Sequence, residues 1–176
     1  MKNTTHILVI KYVVYSLLLL FLYVLQTTPG LFVIFGQKPM IVVPFAICIA
    51  MFEGEFVGGL FGAFAGLLCD IAGGMLFGFN GLFVAFFCIV TGLVVIYLMH
   101  CNPGAAFFFT LITMLVRGSV EFLFGYAIWN HPNVWRIFTN HTLPVILYTA
   151  AVAPLLFFLV KKIFLAFDKR IHPEIG

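Results

Sequence analysis

The sequence predicts an all-helical, polytopic membrane protein, and three observations carry that reading. Apolar residues make up 64% of the 176-residue chain and charged residues only 9%. The mean hydropathy is +1.19, whereas a soluble domain carries about a quarter charged residues. The third observation is a series of apolar stretches, most of them near the roughly 20 residues that a spanning helix needs, separated by Gly, Pro and Asn. No linker, charge run or low-complexity tract divides them, so residues 1–176 read as a single integral membrane domain. A net charge of +3 is too small, and too concentrated at the ends, to suggest nucleic-acid binding, so no nucleic-acid partner is expected.

Six segments follow in order, by apolar length and by the breaks between them. The first covers residues 7–26 and closes at Thr27-Thr28-Pro29-Gly30. Lys11 interrupts its apolar run and no small-x-small site follows, so it reads as a retained helix rather than a signal peptide. The second, 40–52, has residues 31–36 as an apolar lead-in; Pro44 and its short length also admit a broken or re-entrant segment. The third, 55–72, is rich in glycine and stops at Gly73-Gly74. The fourth, 79–99, ends at His100-Cys101-Asn102-Pro103-Gly104, and the fifth runs over 105–128. The sixth, 143–167, carries Pro144 near its start and Pro154 in its interior, where a kink is expected.

Orientation follows from Lys and Arg, which accumulate on the cytoplasmic side. Lys2, Lys11, Lys161, Lys162, Lys169 and Arg170 flank the termini, against Lys38 and Arg136 in the loops of the opposite face. Both termini are therefore expected in the cytoplasm. The outer loop 129–142 holds both tryptophans, Trp129 and Trp135, as interfacial belts do, and an anchoring role suits it. Asn140-His141-Thr142 fits a glycosylation acceptor, a pattern common by chance.

Groups able to do chemistry are sparse. Cys48, Cys69, Cys88 and Cys101 form no CxxC pair and read as small apolar packers. The histidines at 6, 100, 131, 141 and 172 are scattered over both faces, so neither a metal nor another cofactor is expected. No phosphate loop, nucleophile elbow or HExxH is present. Glu53 and Glu55 flank the cytoplasmic entrance of the third segment and read as a solvated turn. A non-enzymatic protein is the expectation.

Two features stand out inside the spans. Gly54, Gly58, Gly62 and Gly66 recur every four residues, and the next step lands on Asp70. Such a ladder lets another backbone approach closely. Residues four apart turn by about 40°, so the ridge winds through roughly 160°. Gly58 and Gly62 are expected to meet one helix, and Asp70 another element or a partner protein. On the fifth segment Arg117 and Glu121 stand one turn apart, within reach of each other. Ionised groups within a span are costly and mark functional sites by default. Counting 1.5 Å per residue puts Asp70, Arg117 and Glu121 at roughly 22, 18 and 24 Å from the cytoplasmic ends of their helices. A polar cluster in the outer half of the membrane is therefore expected.

Lys38-Pro39, an apolar span, Gly62-x-x-x-Gly66-Leu67-Leu68-Cys69-Asp70, Gly74 and Leu76-Phe77-Gly78 together resemble the bacterial rod shape-determining MreD family. Phe77 separates Leu76 from Gly78, a departure from the Leu-Gly of the family pattern. The resemblance covers residues 38–99 well and continues loosely to Pro154 and Lys161-Lys162. It implies a non-enzymatic subunit of the cell-elongation machinery in the bacterial inner membrane. Its partners there would be an MreC-like protein, the MreB filament, and a RodA-type glycosyltransferase with its transpeptidase. It also implies a fold similar to the substrate-binding component of energy-coupling-factor vitamin transporters. Membership of that transporter component is the competing reading. Against it, the first helix presents a bulky face from Tyr12 to Leu20 where a docking face would be small.

Overall fold

The computed structural model describes residues 2–28, 39–73, 78–123 and 142–171, and they form six α-helices. These are α1 (Lys2–Thr27), α2 (Val42–Glu53), α3 (Glu55–Gly73), α4 (Phe79–Tyr97), α5 (Pro103–Phe122) and α6 (Leu143–Ile171). Lys38, Gly74 and residues 129–141 of the outer loop lie outside the described residues. Four helical stretches, His6–Thr27, Phe79–Tyr97, Pro103–Phe122 and Leu143–Asp168, are long and apolar enough to cross a membrane. The protein is thus a helical membrane protein. Pro144 sits in the first turn of α6, where a missing N–H is tolerated, and α6 continues through Pro154 to Ile171.

The shortest helix is the centre of the bundle. Every residue from Ile41 to Met51 is buried, and α2 meets all five other helices. Its sequence is apolar on every side, as a helix surrounded by others must be. Twelve residues rise only about 18 Å, short of a hydrocarbon core of about 30 Å. Residues 39–41 lead into it without helical structure. Backbone at such depth needs partners from side chains. The Met40 N–H donates to Thr149 Oγ1 of α6 at 3.0 Å, and the Val42 N–H to Gln26 Oε1 of α1 at 3.2 Å. Pro44 lies in the first turn, where no intrahelical donor is lost.

Around this axis, α3 and α4 form an antiparallel hairpin. Gly92 on α4 lies against the start of α3, while Gly81 lies against Ala63 and Leu67 further along it. Gly118 near the end of α5 abuts Thr142 and Ile146, at the beginning of α6. The first helix is peripheral. Among its described side chains only Lys11, Tyr15 and Leu19, one per turn, are buried. The bulky outward face bears Val13, Leu17, Leu20 and Phe21.

Candidate functional site

The α3–α4 hairpin places the glycine ladder inside the protein. Gly54 is not part of the ridge: it closes α2 with φ +90°, a conformation that suits glycine, and its N–H donates to Ala50 O. A Cβ on Gly58 would strike the Ala50 backbone of α2. A Cβ on Gly62 would lie 2.8 Å from Cys88 Sγ and 3.0 Å from Ala85 Cα, both on α4. On Gly66 it would fall on the Asn80 carbonyl and within 2.6 Å of Gly81 Cα, again on α4. The expectation that Gly58 and Gly62 share one neighbour is therefore corrected. The ridge turns by about 40° between successive glycines, so Gly58 faces the central helix and the later steps face the antiparallel partner. Asp70 also meets α4, the neighbour of Gly62 and Gly66.

Asp70 caps that partner. The first turn of a helix leaves N–H groups without intrahelical acceptors, and Gly78 at the start of α4, with φ +92°, has no side chain to serve them. The Asp70 carboxylate takes that role from the neighbouring helix. Oδ2 accepts from the N–H of Gly78 at 2.9 Å and of Gly81 at 3.2 Å. Oδ1 accepts from the N–H of Asn80 at 3.1 Å and from its side-chain Nδ2 at 2.8 Å. The positive end of the α4 dipole favours an anion at this place. Gly66 one turn earlier lets the backbones come close enough for these four bonds.

Asn80 then extends the network to α5. Its Oδ1 accepts from Arg117 Nε at 2.6 Å, and Arg117 Nη2 bonds Glu121 Oε1 at 2.9 Å. The third Arg117 contact, Nη1 to Met40 Sδ at 2.7 Å, ties in the segment before α2. Asp70, Arg117 and Glu121 thus occupy one connected cluster, with Asn80 between the acid and the cation. Asp70 and Arg117 do not touch directly. The amide orientation of Asn80 follows from its neighbours, because its amino group must face an acceptor and its oxygen a donor. Arg117 is 2% exposed as a residue, while the Glu121 side chain is 31% exposed. Beside the pair lies a cavity of about 150 Å³ lined by Met40, Met114, Arg117, Gly118, Glu121 and Thr142, with Val145 and Ile146 as apolar walls.

A second buried polar cluster occupies the opposite end of the bundle, and sequence reasoning missed it. Lys11 pairs with Glu53 at the end of α2, the two side chains being 4% and 6% exposed. Tyr15 donates its hydroxyl to the same carboxylate oxygen at 3.1 Å. The Lys11 ammonium also sits 4.4 Å from the centre of the Phe164 ring of α6, a cation–π contact. The solvated-turn reading of Glu53 is therefore corrected: Lys11 and Tyr15 of α1 cover it. Lys11 likewise is not a free flank charge but half of a neutral pair. A hint was present in its position, one turn before Tyr15 on an otherwise apolar helix.

Cys48, Cys69 and Cys88 are buried, and Cys101 is half-buried in the connection between α4 and α5, with its thiol directed to Met51 O. Burial pushes the Cys101 thiol above its ordinary pKa, and the nearby Lys161 ammonium offsets part of that rise. Among the described residues, no three His, Cys, Asp or Glu side chains converge as metal ligands. Lys38 and Gly74 of the family pattern lie outside the described residues, whereas Pro39 is buried next to the Arg117 contact Met40. Comparison of the chain with known protein families, with curated proteins and with solved structures finds no match.

Proposed function

We propose that the chain is a non-enzymatic subunit of the bacterial cell-elongation machinery, of the MreD kind, which helps to order lateral peptidoglycan synthesis and keep the cell rod-shaped. In this reading it has six transmembrane helices in the inner membrane, with both termini in the cytoplasm, and a fold similar to the substrate-binding component of energy-coupling-factor transporters. The central α2 is accommodated because its residues 41–51 are buried among five neighbouring helices. Its partners are an MreC-like membrane protein, MreB, and a RodA-type glycosyltransferase with its transpeptidase.

The observation that supports the reading is the physical role of the residues behind the resemblance. Asp70 takes the first N–H groups of α4, Gly66 admits the α4 backbone, and Gly78 opens the capped turn. Gly62, Gly66 and Asp70 therefore work as one staple between two helices, and Pro39 sits beside Met40, a contact of the same network. Their inward packing leaves the outer faces of the bundle, among them the bulky side of α1, for protein partners. A membrane scaffold needs such a rigid interior and little chemistry.

Deletion of the gene in its own rod-shaped host tests the proposal. Cells lacking the chain should round up and widen, and re-expression should restore the rod. Cells that keep their length and width without it would overturn the proposal.

A further inference from the structure

We infer that the cavity beside Arg117 and Glu121 binds a phosphoethanolamine group, the zwitterion carried by phosphatidylethanolamine. The site rests on the membrane reading of the chain and is independent of any role in cell elongation.

Guanidinium carries five N–H donors, and Arg117 makes three bonds among the described residues. Among the described residues two donors of this buried cation therefore have no acceptor, and one of the three in use goes to the thioether of Met40, a weak acceptor. A cation so held in apolar surroundings favours an anionic oxygen, and phosphate matches the guanidinium fork. A simple anion would nevertheless meet the carboxylate of Glu121, which bonds Arg117 through Oε1 only.

Charge balance selects the ligand class. The α4 N-terminus holds the Asp70 charge, and among the described residues that line the cavity the charges of Arg117 and Glu121 sum to zero, so a net-neutral ligand is favoured. A zwitterion satisfies both members of the pair, its phosphate on the free N–H groups of Arg117 and its ammonium on Glu121 Oε2. A primary ammonium donates hydrogen bonds to that oxygen, whereas a quaternary choline cannot. Size agrees: about 150 Å³ is the share of roughly five liquid waters, room for a headgroup rather than a vitamin-sized molecule. Placement agrees as well, because Thr142 of the lining immediately precedes α6, so the cavity lies at the end of the bundle where α6 begins. Val145 and Ile146 supply an apolar wall on which acyl chains can continue.

Thermal unfolding of the purified full chain in detergent, with dioleoyl phosphatidylethanolamine, phosphatidylcholine or phosphatidylglycerol added, tests the site. The ethanolamine lipid should raise the unfolding temperature most. Glu121→Gln, at a partly exposed position, should unfold cooperatively and respond alike to ethanolamine and choline lipids. Val145→Phe, which fills the cavity without changing charge, should remove the ethanolamine response. Soluble glycerophosphoethanolamine separates the sources: a shift equal to that of the lipid identifies a free metabolite, and a shift seen with the lipid alone identifies a membrane ligand. Equal responses to all three lipids in the parent protein would overturn the site, as would an ethanolamine preference that survives both substitutions.

Discussion

Replacing Asp70 by Asn changes one oxygen into an amino group and almost nothing in volume, yet the structure makes it a severe substitution. Each carboxylate oxygen accepts two hydrogen bonds, Oδ2 from Gly78 and Gly81 and Oδ1 from both nitrogens of Asn80. Whichever oxygen becomes nitrogen, two donors lose their acceptor. A buried donor left unsatisfied costs about 1–3 kcal/mol, so the pair costs about 2–6 kcal/mol. Loss of the anion at the α4 N-terminus adds about 0.3–2 kcal/mol. Asn80 cannot rescue the arrangement by flipping, because its amino group would then face the Nε–H of Arg117. Asp70→Asn should therefore lower the unfolding temperature of the purified protein in detergent and reduce its level in the membrane. Asp70→Glu should fall between Asp70→Asn and the parent, since it keeps the charge but misplaces it. An Asp70→Asn protein as stable as the parent would refute the capping argument and return Asp70 to the role of an external contact.

Gly66→Ala should destabilise the fold by about 1–3 kcal/mol through backbone overlap with Asn80 and Gly81. Gly104→Ala, whose Cβ meets nothing within 4 Å, should be neutral or slightly stabilising in the same melt. At the other end of the bundle, Lys11→Met leaves Glu53 buried with, among the described residues, the Tyr15 hydroxyl alone, and breaking such a pair costs about 3–5 kcal/mol. Lys11→Met with Glu53→Leu should cost less than that, so unfolding of the two single variants and the double should be strongly non-additive. With Cys101 as the only cysteine retained, its alkylation should be slow at neutral pH, because burial raises the thiol pKa and disfavours the thiolate. The rate should keep rising at pH values where an ordinary thiol has levelled off; a plateau at the ordinary thiol pKa would contradict the burial.

Features governed by local periodicity are legible in the sequence. Apolar length marks α1, α4, α5 and α6, and the one-turn spacing of Arg117 and Glu121 places them side by side whatever surrounds the helix. The four-residue glycine step marks a close-packing ridge, but not which helix lies on it, because that depends on how α2 and α4 cross α3. Contacts between distant helices were not legible. Lys11 and Glu53 belong to different elements, and a lysine near the N-terminus of a membrane helix reads first as an orientation signal. Removing it from the flank charges still leaves Lys2, Lys161, Lys162, Lys169 and Arg170 against Lys38 and Arg136. Asn80 was overlooked for a different reason. A lone amide at the start of a phenylalanine-rich helix carries no motif, and only the approach of Asp70 from one side and Arg117 from the other gives it a task.

Affinity purification of the full chain from membranes of its own host, followed by identification of the proteins that accompany it, tests the central proposal most directly. Recovery of an MreC-like protein together with a RodA-type glycosyltransferase and its transpeptidase is expected, as is loss of that recovery when Asp70→Asn lowers the folded fraction. Recovery of the ATPases and coupling subunit of an energy-coupling-factor transporter, with none of the elongation proteins, would contradict it.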